Sequence, residues 1–152
     1  MSTFAGLGKN MPATIIANED YLAENEDIVV RYLAASLESL LWAASDEDSV
    51  YKEKADWYYE VMTEDLGISM EEQIATDICG LCDFKDLAFY ESLCEKDADG
   101  KTGLQKNYEI FFDNHVMVGL ATEEDKETVL AGCDASYLEK AIALYKETNG
   151  IA

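Results

Sequence analysis

The chain holds a single proline, Pro12, and no residue after it carries the ring that breaks helices. From residue 19 to about 147, almost every segment places apolar residues at i, i+3 and i+4, the spacing of one helix face. Asn18 or Asp20 can start a short turn over "EDYLAE", and Asn25 stands where the next helix needs its N-cap. Glu26 and Asp27 then suit the positive end of that helix dipole. Val29, Tyr32, Leu33, Leu37, Leu40, Leu41 and Ala44 share a face, and Ile28 and Trp42 widen it, which predicts a helix buried on more than one side.

After "SDEDS" a second stripe runs through Tyr51, Ala55, Tyr58, Tyr59, Met62 and Leu66, with Gly67 as its stop. Ser69 to Glu72, "SMEE", reads as a capping box opening a helix with Met70, Ile74, Ile78 and Leu81 on its apolar face. A further helix spans about Phe84 to Cys94 and ends in the turn-forming "KDADGKTG". Leu104, Tyr108, Phe111, Phe112 and His115 form the next stripe. The last helix is announced by Asp134, carries Leu138, Ala141, Ile142 and Tyr145, and stops at "TNG".

The exception is "ATIIA", Ala13 to Ala17, a β-branched run that predicts a short strand with no evident partner nearby. The sequence therefore predicts a mainly α, multi-helix single domain over residues 1–152, with one or few short strands. At 152 residues, 49% of them hydrophobic, the chain is long enough for one packed domain. No apolar run reaches membrane-spanning length, so no membrane insertion is expected. The opening "MSTFAGLGKNMP" lacks a basic n-region and an apolar h-region, so no signal peptide is expected in this chain.

Thirty-two acidic against 11 basic residues give a net charge of −21, which repels phosphate backbones and anionic lipid. Nucleic acid is thus not an expected partner. A basic protein is one, if the chain acts as a DNA mimic or inhibitor.

Cys79, Cys82, Cys94 and Cys133 are too few for a disulfide scaffold. "CGLC" has metal or redox spacing but no second CxxC, so packing thiols are the main reading and a labile disulfide or metal site the alternative. "EKDADGKTG" echoes an EF-hand start at Glu95, Asp97, Asp99 and Gly100. Its twelfth position is Lys106 where a bidentate glutamate is needed, which makes it a polar loop. His115, the only histidine, lies one turn beyond Phe111 on an apolar face and reads as a packed residue. No GxSxG, P-loop, GxGxxG or HExxH pattern occurs, and Glu71–Glu72 and Glu123–Glu124 are adjacent exposed pairs. No catalytic residue, metal ligand or cofactor is expected, and the chain reads as a non-enzyme. Trp57, Tyr58 and Tyr59 are consecutive and radiate around their helix, so at least one meets another lobe, a ligand or a partner.

The order of these pieces resembles the carboxy-terminal part of the NMT1/SsuA-type substrate-binding proteins of ABC importers. The segment "PATIIANEDYLAENEDIVVRYLAASLESLLWAASDEDSVYKEKADWYYEVMTEDLGI" is similar to their strand, acid-capped helix, acidic turn and helix ending in "lgi". "FFDNHVMVGLATEEDKETVLAGCDASYLEKAIALYKE" is similar to a later stretch. Glu26 stands where the family commonly has proline at the first helical position. The resemblance covers roughly residues 11 to 147 and implies part of a type II periplasmic-binding-protein fold, extracytoplasmic in its parent family. It also implies a small organic or inorganic anion, or a thiamine-precursor-like molecule, as ligand, and an ABC permease and the missing amino-terminal lobes as partners. The ligand-contacting segments of the family fall outside the matched region, so no ligand-binding residue is carried over. The Ala13–Ala17 strand would pair with strands of the first lobe or, left open, with a second copy in a homodimer.

Overall fold

A computed structural model describes residues 15–151. The elements are α1 (Glu19–Glu24), α2 (Glu26–Ala43), α3 (Asp48–Glu60) running into a π-turn (Val61–Asp65), and α4 (Glu72–Leu81). They continue with α5 (Leu87–Cys94), α6 (Gly103–Met117), a 3₁₀ turn (Glu123–Asp125), α7 (Lys126–Ala131) and α8 (Ser136–Asn149). The mainly helical class expected from the apolar spacing is what forms.

Over its described part, residues 15–17, the expected strand does not form. Residues 15–17 are irregular backbone that ends at the Asn18 cap, while Pro12, Ala13 and Thr14 lie outside the described residues. Ile16 is 87% exposed. Among the described residues the only β pairing is an isolated Lys96–Thr102 bridge, so the run at 15–17 has no ladder to join.

Local sequence explains most helix ends. Asn18 accepts a hydrogen bond from the Tyr21 amide at 3.1 Å and caps α1. Asn25 occupies the N-cap position of α2, but its side chain instead donates to the Tyr21 carbonyl at the end of α1. The Ser69–Glu72 capping box is not made: α4 starts two residues later than the box requires, with Glu71 as a cap that makes no side-chain bond. A capping box forms at α6 instead, where Thr102 and Gln105 exchange bonds of 3.2 and 3.0 Å with each other's backbone. The predicted 84–94 helix begins at Leu87, because Asp86 caps it through the Phe89 amide. Gly150, at φ 65°, closes α8.

Packing joins the helices in one row. α4 lies against α3, α3 meets α2 at a corner bent by 115°, and α2 runs along α8. From α8 the row continues through α5 and α6 to α7. Nearly every junction carries a named link. Tyr51 of α3 donates to the Thr76 carbonyl of α4 at 2.7 Å. Lys54 donates to the Ala43 carbonyl at the negative end of α2 and sits 5.2 Å from the Phe84 ring centroid. Lys140 of α8 pairs with Glu26 of α2 at 2.7 Å, and Lys146 with Glu91 of α5 at 2.7 Å. Gln105 of α6 reaches the Leu130 carbonyl of α7 at 3.1 Å.

A row has two open sides, and burial reflects this. Six of the nine buried apolar residues among those described are alanines, with Leu37, Phe112 and Ile142 as the large ones. Seventeen large hydrophobic side chains among the described residues remain exposed. The expectation that α2 is buried on more than one side fails: Ala34 and Leu37 face inward, whereas Ile28, Tyr32 and Trp42 are exposed. On α4 the buried residue is Ala75, 1% exposed, and the expected core stripe is only partly covered: Met70 and Ile78 are half-buried, while Ile74 is 45% and Leu81 75% exposed. Among the described residues no single helix is long and apolar enough to cross a membrane.

Two consequences can be measured. A Cβ added at Gly103 would run into the Ser92 carbonyl and sit 2.9 Å from Leu93 Cα, so backbone blocks it. Gly103→Ala should cost about 2 kcal/mol, lowering the melting temperature by roughly 4–8 °C. At the α6–α7 junction, Lys126 bridges Glu109 at 3.2 Å and Asp113 at 2.7 Å. Hydrogen bonds from Lys101 and then Lys126 hold the Glu109 carboxyl below the usual glutamate range. A depressed carboxyl stabilises the fold above its unfolded value, near 4.3, and that contribution is lost as pH falls through the folded value. Lys126→Met should therefore melt a few degrees lower at neutral pH, and the difference from wild type should shrink below about pH 4.

Candidate functional site

Two concavities lie along the row. The first, about 460 Å³, sits between α3 and α4 and is lined by Tyr51, Lys52, Ala55, Asp56, Tyr59, Glu72 and Thr76. Ala55 forms its floor, because an alanine there lets the two helices approach while the i−4 and i+4 tyrosines wall the groove. Its polar groups are already engaged. The Lys52 ammonium is held by Asp56 one turn along, and the Tyr51 hydroxyl is committed to Thr76. The groove therefore presents aromatic edges and carboxylates, with no unengaged cation for a small anion.

The second, about 360 Å³, lies where α5, α6 and the start of α8 converge, and includes Cys94, Thr102, Gln105, Cys133, Ser136 and Glu139. Thr102 and Gln105 are occupied by the capping box and by Leu130. Burial pushes the Cys94 thiol up, with Glu139 and Glu91 adding to the shift, and burial alone raises Cys133. Cys94 contacts the Tyr90 and Ala135 carbonyls at 3.8 and 3.9 Å. Lys96 also lines this concavity, but both thiols are raised and no imidazole is among the lining residues to act as a base.

The residues singled out in the sequence fall into place separately. Cys79 lies in the last turn of α4 and Cys82 caps its end; burial, then the neighbouring Cys82, raises the Cys79 thiol, and Cys82 is exposed. All four cysteines are free thiols. Asp97 accepts the Asp99 and Lys101 amides at 2.9 and 3.0 Å, and its carboxylate pairs with Lys106 at 2.8 Å. The hydrogen bond from Lys106 is the main cause that lowers Asp97. The lysine at the twelfth loop position thus takes the charge a calcium ion would take. His115 donates from Nδ1 to the Phe111 carbonyl at 3.0 Å, with its ring 4.2 Å from that of Phe111, as a packed histidine should. Glu71–Glu72 and Glu123–Glu124 are exposed. Among the described residues no group of three or more His, Cys, Asp or Glu is placed to hold a metal ion. Trp57 points away from the Ala55 side of α3 and is 65% exposed, whereas Tyr58 and Tyr59 are half-buried.

Sequence reading did not single out the tyrosine-walled groove. Its only advance signal was Tyr51, Ala55 and Tyr59 at successive i+4 positions, which also describes an ordinary core stripe.

Compared with known proteins, the chain matches no family model, and no curated protein or solved structure matches it.

The thiol environments predict graded reactivity. With an aromatic disulfide reagent at neutral pH, Cys82 should react fast, and Cys79, Cys94 and Cys133 slowly until the chain is unfolded. Four equally fast thiols would contradict the burial described here.

Proposed function

We propose that this chain is the helical carboxy-terminal part of an NMT1/SsuA-type solute-binding protein of an ABC importer, working by recognition and not by catalysis. The observation that carries the reading is the row itself. Ile28, Tyr32 and Trp42 on α2, with Ile110 and Met117 on α6, are large, apolar and exposed. Burying even half of the exposed large side chains is worth on the order of 10 kcal/mol, as much as the whole stability of a typical domain. A helical segment that packs over the α/β lobes of a two-lobed receptor needs such a face. The captured solute, a small anion or a thiamine-precursor-like molecule in the resembled family, would sit between lobes. The engaged lysine of the α3–α4 groove agrees with an anion site that this chain does not build alone.

A second reading, an acidic interaction protein that occupies a basic partner, draws on the net charge of −21. It does not account for the apolar faces.

The test has two arms. Melting of the isolated chain with nitrate, alkylsulfonates, taurine or aminopyrimidines should shift by less than about 1 °C. Co-expression with the lobes encoded upstream at its locus, beside permease and ATPase genes, should restore a shift of several degrees with one of them. A large shift with the isolated chain, or a locus without such lobes, would contradict the proposal.

A further inference from the structure

We propose that the outer stripe of α4 is a docking surface for a basic amphipathic helix. α4 ends the row: its inner face, around Ala75, lies on α3, and one flank beside that face carries Ile74 and Leu81, both exposed, with Ile78, half-buried, between them at i, i+4 and i+7. Leu66 and Ile68, which precede α4 in the chain, are exposed as well. Ile74 to Leu81 spans about 10 Å along the axis, two turns, which is the footprint of a helix anchored by residues of the same spacing.

Charge selects the occupant. Between Asp48 and Asp86 stand eleven carboxylates against three lysines. Each of those lysines is engaged: Lys52 by Asp56, Lys54 by the Ala43 carbonyl, and Lys85 by Asp83. Glu71 and Asp77 flank the stripe directly and are exposed. A second copy would bring an identical acidic field of a −21 chain onto this one, so self-association opposes the apolar gain. Anionic lipid and nucleic acid are repelled for the same reason. A helix with leucines on one face and lysines or arginines beside them satisfies both features, burying Ile74 and Leu81 while its cations meet the carboxylates. This surface lies apart from the α2 and α6 faces on which the proposed function rests.

The test uses a fluorescein-labelled Leu/Lys peptide with all its leucines on one helix face, titrated with the full chain at about 0.15 M salt and followed by anisotropy. Saturable binding is expected, weakened at least about tenfold by Ile74→Glu with Leu81→Glu. The sign is decisive, because two added carboxylates strengthen any purely electrostatic attraction. A scrambled peptide of the same composition should also bind about tenfold more weakly, and this comparison decides the matter if the double variant does not fold. No saturable binding, unchanged or tighter binding by the folded variant, or equal binding of the scrambled peptide would overturn the proposal. So would sedimentation as a dimer that the double variant dissociates, which would assign the stripe to a second copy.

Discussion

The seam between α2 and α8 holds the row together, because it brings residues near position 30 against residues near position 140. Small side chains make it possible. Ala34 on α2 and Ala141 on α8, the latter 0% exposed, let the two backbones approach, and Leu37 and Ile142 fill the space beside them. The Lys140–Glu26 pair lies on the same seam but is half exposed, so it sets register more than it adds stability. On either side of the seam the helices connect mainly to their neighbours, so each added helix depends on the one before it. This dependence explains why alanine dominates the buried residues while leucine, isoleucine and tryptophan stay outside.

Much of this was legible in the apolar spacing and caps. The Asn18 cap, the stop at Gly67, the polar loop over Asp97 to Lys101 and the packed His115 all follow from local chemistry, which the fold does not override. What spacing could not reveal is which side of an apolar stripe finds a neighbour. Ile74, Ile78 and Leu81 look like a core face, yet Tyr51 anchors α4 to α3 through Thr76, and so Ala75 turns inward. The π-turn at Val61–Asp65 likewise inserts an extra residue per turn and leaves Leu66 outside the stripe that a regular helix predicts. The capping box at Ser69 lost because the chain stays irregular until Glu71, and a box without a helix behind it has no amides to cap. The expected strand at 13–17 depended on partners, which single-chain spacing does not supply.

Electrostatics and packing point the same way. An acidic surface opposes self-association of a chain with many exposed apolar side chains, since like fields repel. Many of the cations among the described residues pair within the chain: Lys126 with Glu109 and Asp113, Lys106 with Asp97, and Lys54 with the end of α2. The surface of the described residues is therefore marked by apolar stripes bordered by carboxylates.

The central claim, that the helices form a seam-centred open row and not a closed core, is tested most directly by native-state hydrogen exchange. Amides of α2 and α8 should exchange most slowly, and α4 and α7, at the two ends, should open at clearly lower free energy. Uniform protection from α2 through α8, with α4 and α7 as slow as the seam, would contradict it.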